Sequence, residues 1–223
     1  MGRFTNPRDL YFGEGARHEV KNLKGKKAII VSGGSSMRRG GFLQDVEADL
    51  KEGGFEVKLF EGVESDPSIE TVMKGAEAMR EFEPDWIIAI GGGSPIDAAK
   101  VAAARVVRPD KTVSQLGGLL KVRRPLPLFI AVPTTAGTGS EATIAAVVTG
   151  EEHRKYAVSD LCLIPRYAVL DPTLTLSLPP AVTAQTGMDA LSHAVEAYLS
   201  LYYNTRETRA LAEAAVRDIF RYL

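Results

Sequence analysis

A glycine triplet between a buried strand and a helix start constrains this chain more than any other stretch. After Asp85, residues 86–90 are an apolar run of aromatic, aliphatic and β-branched side chains that predicts a buried strand, and the triplet 91–93 follows it directly. Beyond the triplet, Ser94 is predicted as the N-cap, Pro95 as the first helical residue and Asp97 as the carboxylate that bonds back to the cap. Such a turn aims backbone N–H groups and the positive helix end at one point, which suits a phosphate. By itself, the turn fits a plain, well-capped connection equally well.

The order of predicted elements indicates an α/β fold. Predicted strands at 27–32, 55–60 and 85–90 alternate with predicted helices at 42–52 and 67–82. This alternation is typical of a Rossmann-like, mostly parallel sheet with helices on both faces. Three later strands, expected to pair antiparallel at the rim of the sheet, are predicted at 143–149, 156–159 and 167–171.

Two further turns rich in glycine and hydroxyl groups leave the ends of predicted strands. One follows the first clear strand and contains Gly33 and Ser36, and the other carries Thr134, Thr135 and Thr138. Ligands of open parallel sheets bind in the crevice at the carboxyl ends of the strands. Together with the glycine triplet, these turns predict a phosphate or nucleotide site. The alternative for the threonine-rich turn is a capping box that begins a short helix.

A change of character at Leu178-Pro179-Pro180 predicts a domain boundary. Residues 1–178 are assigned to the α/β domain, and residues 179–223 to the beginning of an all-α domain. Apolar residues at helical spacing continue up to Leu223. We therefore expect the helical domain to be incomplete in this chain.

The first helix of that domain carries a pair of residues that can bind a metal. Asp189 and His193 are four residues apart, so their side chains share one face of the helix and can supply two ligands to a divalent cation. An Asp–His hydrogen bond or a solvated helix face explains the same spacing. The other histidines, His18 and His153, are expected on the surface or in turns.

Composition narrows the classes of partner. The net charge of −1 over 223 residues does not favour nucleic acid or an anionic membrane as a partner. The single cysteine, Cys162, excludes an internal disulfide and fits the reducing cytoplasm. No apolar run is long enough to span a bilayer. We therefore expect a cytoplasmic protein that acts on a small molecule.

Four stretches in order and at the right spacing resemble the iron-containing (group III) alcohol dehydrogenases: 91–97, 133–141, 171–172 with 178–180, and 186–196. The resemblance covers the whole chain. It implies a Rossmann-like domain that binds NAD or NADP and a helical domain that binds Fe²⁺ or sometimes Zn²⁺. Glycerol dehydrogenases and dehydroquinate synthases share this architecture, but their motifs fit these residues less well.

The resemblance also implies roles for individual residues. Gly92, Gly93 and Ser94 would hold the diphosphate of the cofactor. The rest of the nucleotide pocket would be lined by Thr134, Thr135 and Thr138, with Thr143, Lys155 and Val182 completing it. Asp189 and His193 match the first two metal ligands of the family, whose two further ligands are histidines on later helices that this chain lacks.

The chain departs from the family just after its first strand. Members often have an aspartate there that accepts hydrogen bonds from the hydroxyls of the adenosine ribose, whereas this chain has Gly33. Without that carboxylate a 2′-phosphate is not repelled, and Ser36, Arg38 and Arg39 lie close by in sequence. We therefore expect NADP to be accepted at least as well as NAD.

The resemblance implies a metal-dependent NAD(P) alcohol dehydrogenase or aldehyde reductase. Such an enzyme transfers a hydride between nicotinamide and a primary alcohol or aldehyde, with the cation as the Lewis acid. We expect a homodimer, of which this chain is a fragment. The alternative is a nucleotide-binding domain that lacks dehydrogenase activity because its metal site is incomplete.

Overall fold

The computed structural model describes residues 6–150, 154–202 and 204–223, which divide into two compact units. The first unit runs to Thr134 and resumes with Ser140–Leu174. The second comprises Thr135–Gly139 and Thr175–Leu223. The domain boundary near residue 178 remains a prediction.

The elements alternate in the first unit and are helical in the second. The strands are β1 (Asp9–Phe12), β2 (Lys27–Ser32), β3 (Glu56–Phe60), β4 (Trp86–Gly91), β5 (Gly118–Leu119), β6 (Leu128–Pro133), β7 (Ala145–Thr149), β8 (Lys155–Ser159) and β9 (Tyr167–Leu170). The helices are α1 (Ser36–Arg39), α2 (Phe42–Glu52), α3 (Ile69–Phe82), α4 (Gly93–Val107), α5 (Val113–Leu116), α6 (Pro180–Leu199) and α7 (Arg206–Tyr222). Short 3₁₀ helices lie at Ala16–Asn22, Leu161–Leu163 and Pro172–Thr175.

Six strands form one parallel sheet in the order β1-β9-β6-β4-β2-β3. The central strands β2 and β4 are buried along almost their whole length, as their aliphatic runs predict. Helices cover both faces. One core packs α3 and α4 on the sheet, and the other packs α2 and the 3₁₀ helix Ala16–Asn22. The predicted fold class, a Rossmann-like parallel sheet followed by a helical segment, is confirmed.

The rim strands differ from the prediction. β9 is not antiparallel: it lies between β6 and β1 and pairs parallel with both. Among the strands in the described residues, only β7 and β8 pair antiparallel, and they form a separate three-stranded sheet with β5. The pairing partner of a short strand depends on tertiary packing, which the strand's own sequence does not specify.

The second unit contains α6 and α7, which pack closely on each other. Pro180 occupies the first position of α6, and the Thr205 hydroxyl caps α7 by accepting from Thr208 N at 3.1 Å. A Cβ on Gly187 would lie 2.5 Å from Leu223 Cδ1, so glycine allows the close packing of the two helices. Within the described ranges, no helix is long and apolar enough to cross a membrane.

Candidate functional site

The strand order places a ligand crevice at the carboxyl ends of β2 and β4. From β2 the chain proceeds to β3 on one side, and it then returns to place β4 on the other side of β2. The two strands pair in register from Ala28 with Trp86 to Ser32 with Ile90. In open α/β sheets, such a reversal of strand order opens a crevice between the two turns that follow the strands. These turns are the ones that begin at Gly33 and Gly91.

The turn after β4 depends on glycine at its first position. Gly91 has φ of +150°, and a Cβ there would lie 2.5 Å from Pro95 Cγ. Gly33, at the end of β2, faces the same ring, because its Cβ would lie 3.3 Å from Pro95 Cγ. The two glycine-rich turns thus meet at Pro95. Gly91 was not among the predicted site residues, although it is the first member of the triplet.

The start of α4 differs from the predicted one. The helix begins at Gly93 with Gly92 as N-cap, and no side chain caps it. Ser94 lies inside the first turn, where its Oγ accepts from Asp66 N at 3.3 Å. The predicted Ser94 cap and the Asp97 bond back to it are therefore wrong. The glycines let the helix begin directly at the end of the strand, which leaves its first N–H groups without a capping side chain.

Asp97 instead supports the strand that packs beside α4. Its Oδ2 accepts from Val147 N on β7 at 2.8 Å. Burial raises the pKa of the Asp97 carboxyl, and the Val147 hydrogen bond and the charge of Lys100 oppose the shift. The carboxylate is thus bound to β7 instead of the helix start.

Lys100, three residues further along α4, is fully buried. Its ammonium donates to the carbonyl oxygens of Ser140, Thr143 and Ala145 at 2.6, 2.9 and 3.1 Å. Burial lowers its pKa to about 8, while Asp97 and Glu141 oppose the shift. Sequence reasoning missed this contact, although one charge within the alanine-rich stretch of α4 was a signal of it.

The predicted pocket residues Thr134 and Thr143 occupy different settings in the first unit. Thr134 is buried at the end of β6, and its N–H donates to Gly91 O at 2.9 Å. The Thr143 hydroxyl donates to Ala145 O at 3.2 Å and lies 3.4 Å from Lys100 Nζ. Thr134 therefore lies next to the glycine turn, whereas the Thr143 hydroxyl is engaged by the Lys100 contacts.

Lys155 is tied to the start of α4 through Asp66. Its Nζ lies 2.5 Å from Asp66 Oδ1, and the N–H of the same Asp66 donates to Ser94 Oγ. Asp66 was not predicted as a site residue. Nothing in the sequence signals the pair, because 89 residues separate its two members.

The arginines after β2 are also engaged. Arg38 binds both carboxylate oxygens of Glu61, whose pKa this arginine lowers. Arg39 Nη1 donates to Ser35 Oγ at 2.7 Å, next to Ser36 at the start of α1. Within the described residues, Arg38 therefore has a carboxylate partner and Arg39 has none.

The remaining predicted residues belong to the second unit. Thr135 and Thr138 lie in its segment Thr135–Gly139, and Val182 lies in the first turn of α6. A Cβ on Gly137 would overlap Thr186 O, so this glycine lets the segment lie against α6. The buried Thr135 hydroxyl has no hydrogen-bond partner in the part of the chain that is described.

Asp189 and His193 share one face of α6, as their spacing predicts. Asp189 Oδ1 and His193 Nε2 are 3.7 Å apart, and the two side chains are 44% and 53% exposed. This donor pair fits two ligands of one cation. No cluster of three His, Cys, Asp or Glu side chains is present in residues 6–150, 154–202 and 204–223. His18 instead contacts Asp49 at 2.5 Å, and His153 lies outside the described residues.

A cavity of about 250 Å³ lies at the opposite ends of the strands. Trp86, Leu128 and Tyr167, the first residues of β4, β6 and β9, line it. The Trp86 and Tyr167 rings stack at 5.4 Å, and Trp86 Nε1 donates to Lys24 O at 3.0 Å. This mostly apolar cavity lacks the glycine turns and uncapped helix start of the crevice, so we do not assign the phosphate site to it.

Comparison with known proteins gives one consistent family. Residues 7–172 match the family described as iron-containing alcohol dehydrogenase. The chain is 50% identical to the NADPH-dependent butanol dehydrogenase of Clostridium saccharobutylicum, covering 100% of this chain and 58% of that protein. It is 36% identical to the NAD-dependent methanol dehydrogenase of Bacillus methanolicus, and that match covers 100% of this chain and 59% of the methanol dehydrogenase.

Solved structures that resemble this chain belong to alcohol oxidoreductases too. A 1,3-propanediol oxidoreductase superimposes with a TM-score of 0.92 at 37% identity, covering 99% of this chain and 58% of that one. The iron-containing alcohol dehydrogenase of Thermococcus thioreducens superimposes with a TM-score of 0.89 at 32% identity. That match covers 99% of this chain and 60% of the other chain. The chain therefore spans somewhat more than half the length of the relatives that it matches.

Proposed function

Because the chain belongs to the iron-containing alcohol dehydrogenase family, we propose that its first unit binds a nicotinamide dinucleotide at the carboxyl ends of β2 and β4. One observation carries the proposal: α4 begins without a capping side chain, directly at the end of a buried strand at the reversal of strand order. Its free N–H groups and positive end suit a diphosphate. Gly92, Gly93 and Ser94 are the residues that would hold it.

The remaining pocket residues would bind the rest of the nucleotide. We assign this role to Thr134, Thr135, Thr138, Thr143, Lys155 and Val182, with Gly33 and Ser36 at the adenosine end. Two observations support the assignment: Thr134 N bonds to Gly91 O, and Lys155 is tied to Ser94 through Asp66. For Thr143 the support is weaker, because its hydroxyl already bonds to Ala145 O.

We propose that NADP is accepted at least as well as NAD. Gly33 carries no carboxylate to repel a 2′-phosphate, and a side chain there would be crowded by Pro95 and by Val63 O. Arg39 lies one helical turn from Ser35 and is available to a phosphate oxygen, whereas Arg38 is held by Glu61. The butanol dehydrogenase relative is named as NADPH-dependent.

The activity that we propose for the whole protein is hydride transfer between the nicotinamide and a primary alcohol or aldehyde, in a cytoplasmic homodimer. A bound Fe²⁺ or Zn²⁺ would supply Lewis-acid polarisation of the substrate oxygen. Asp189 and His193 are the residues of this chain that would hold it. In this proposal, the first unit binds and orients the dinucleotide, whose nicotinamide carries the hydride.

A second candidate is a nucleotide-binding domain without dehydrogenase activity. One observation favours it: in the described residues, no third His, Cys, Asp or Glu side chain joins Asp189 and His193. The two candidates share the dinucleotide site and differ in turnover. An alcohol-oxidation assay with butanol and NADP⁺, after loading with Fe²⁺ or Zn²⁺, distinguishes them.

Titration calorimetry with NADP⁺ and NAD⁺ tests the shared site. Gly92 has φ of −71°, which any residue adopts, so Gly92→Val places a branched side chain at the helix start without backbone strain. We expect this variant to fold and to lose dinucleotide binding. Glu77→Val, which adds the same side chain on the exposed surface of α3, should bind like the parent. Unchanged affinity in a folded Gly92→Val variant would contradict the proposed site.

A further inference from the structure

The cavity of about 250 Å³ at the amino ends of β4, β6 and β9 has no part in the proposed function. All of its lining residues belong to the first unit. On one side they are the exposed Glu19, Asn22 and Lys24, and on the other they include the buried Ile130 and Val169. The cavity therefore reaches from the protein surface into the core beside the sheet.

Three aromatic side chains line this cavity and contact one another. The Trp86 and Tyr167 rings are stacked with 25° between their planes, and the Tyr11 ring meets Tyr167 edge-on at 5.6 Å. The hydrogen bond from Trp86 Nε1 to Lys24 O holds the indole in place. Because aromatic rings prefer stacked and edge-to-face partners, this preformed group of rings favours an aromatic ligand over an aliphatic one.

The polar groups of the cavity indicate a neutral ligand that carries a hydroxyl group. Glu19 and Lys24 have opposite charges, so an ion of either sign would meet one like charge. Within the described part of the chain, the Tyr11 hydroxyl forms no hydrogen bond. Burial raises the pKa of the Tyr11 phenol, and Tyr167 and Glu19 add to the shift. The phenol therefore stays protonated and can donate to a ligand.

We propose that this cavity is a binding site for a neutral, monocyclic aromatic alcohol. The ring of the ligand packs on Trp86 and Tyr167, and its hydroxyl lies towards the surface, where Tyr11 can donate and Glu19 can accept. An apolar cavity of about 150 Å³ holds benzene, so the larger volume here admits one ring with a short side chain. The site lies at the amino ends of the strands, opposite the proposed dinucleotide crevice, and does not depend on it.

The probe is 2-phenylethanol, and three compounds of similar length test its individual features. 2-Cyclohexylethanol lacks the aromatic ring, 2-phenylethylamine is a cation at neutral pH, and 3-phenylpropionate is an anion. We expect calorimetry to give one 2-phenylethanol per chain, with an affinity at least about threefold higher than that of each other compound. Trp86 is the only tryptophan of the chain, so its fluorescence should report the same titration.

Leu128→Tyr should obstruct the cavity. Leu128 lines it and is 40% exposed, so a larger side chain can be accommodated there without entering the buried core. We expect the affinity for 2-phenylethanol to fall at least about tenfold in this variant. Leu119→Tyr is the matched control, because it makes the same change on the exposed strand β5, outside the cavity lining, and should bind like the parent. Thermal unfolding checks that both variants fold.

Tyr11→Phe tests the hydroxyl separately. It keeps the ring but removes the donor, so 2-phenylethanol should bind about fivefold more weakly. Tyr156→Phe, which removes a hydroxyl on β8 outside the cavity lining, is the control and should bind like the parent. If Leu128→Tyr does not fold, Tyr11→Phe alone decides.

Selective binding of 2-phenylethanol that is weakened in the two cavity variants and kept in their controls supports the proposal. A cavity that holds water only, or several weak sites per chain, overturns it. Equal or tighter binding of 2-cyclohexylethanol or of either ion also overturns it, as does parental affinity in a folded cavity variant. The titrations contain neither dinucleotide nor metal. A failure here is therefore distinguishable from a failure of the proposed function, which a separate titration with NADP⁺ reports.

Discussion

Asp66 holds Lys155 by an ion pair of 2.5 Å, and its own N–H donates to the hydroxyl of Ser94 in the first turn of α4. A cation that was expected to contact the cofactor is therefore bound to a carboxylate beside the proposed diphosphate site. The Lys155 and Asp66 side chains are 57% and 66% exposed. Exposed pairs contribute at most about 1 kcal/mol, so a phosphate can compete for this lysine.

Asp66→Asn should increase the affinity for NADP⁺ by about two- to fivefold at low salt. The substitution removes a negative charge near the diphosphate and releases Lys155. Asparagine also tolerates the left-handed backbone that Asp66 adopts, with φ of +53°. The gain should shrink as salt rises towards about 1 M, where exposed charges are screened.

The matched control for that change is Glu70→Gln. It removes one carboxylate from another exposed pair, with Lys74 on α3, and alters the net charge by the same amount. Its NADP⁺ affinity should equal that of the parent in calorimetry at every salt concentration. A weaker affinity in Asp66→Asn would mean that Asp66 itself contacts the ligand.

Gly91→Ala should destabilise the first unit by about 2–3 kcal/mol and abolish dinucleotide binding. The reason is geometric, because the new Cβ would lie 2.5 Å from Pro95 Cγ on a backbone with φ of +150°. Urea unfolding gives the loss of stability, and calorimetry gives the loss of binding. Gly34→Ala is the control, since its Cβ would meet no heavy atom within 4 Å.

The double variant Gly91→Ala/Pro95→Ala separates the two sources of strain. Removal of the proline ring relieves the contact but leaves the unfavourable φ. We therefore expect it to recover only part of the stability. Full recovery would show that the backbone conformation at Gly91 contributes nothing.

Arg39→Met should weaken NADP⁺ binding about tenfold and leave NAD⁺ binding unchanged. Arg39 lacks a carboxylate partner among the described residues and lies beside Ser35, so it can donate to a 2′-phosphate. Arg38→Met should have a smaller effect, because Glu61 already holds that guanidinium. Side-by-side calorimetry with both dinucleotides decides, and an equal loss for NADP⁺ and NAD⁺ would contradict the assignment.

The strands at the centre of the sheet were predictable because their residues are almost all aliphatic, which indicates burial on both faces of a sheet. Lys27–Ser32 and Trp86–Gly91 are aliphatic and β-branched, and both are buried in the sheet. The position of β9 was not predictable in this way. Tyr167–Leu170 could lie at an edge or in the interior, and its parallel pairing with β1 joins segments more than 150 residues apart.

The candidate site was also predictable only where local sequence determines its structure. The glycine turns could be singled out as candidates, because several turns rich in glycine and hydroxyl groups follow strands that lie side by side in one parallel sheet. The cap of α4 was misread, since Ser94, Pro95 and Asp97 satisfy the usual capping pattern while Gly92 begins the helix. Lys100 and Asp66 were missed because their partners are distant in sequence and none of them forms a local motif.

The metal site has too few ligands in the described residues. Asp189 and His193 lie 3.7 Å apart on α6, and no third ligand joins them in the described part of the chain. Tight binding of Zn²⁺ or Fe²⁺ normally uses three or four protein ligands in fixed geometry.

The 223-residue chain should therefore bind Zn²⁺ weakly, and His193→Ala should remove that binding. Two ligands from one helical face leave most of the coordination shell to water, so the affinity gained from protein ligands is small. Titration with Zn²⁺ in the presence of a competing chelator measures it. His18→Ala is the control, because it removes the histidine of a different Asp–His pair, with Asp49, and should leave metal binding unchanged. Tight, stoichiometric Zn²⁺ in the parent chain would contradict the prediction and would require a ligand besides Asp189 and His193, for example from a second copy. In that case, the Zn²⁺ stoichiometry and the fraction of dimer should rise together with protein concentration.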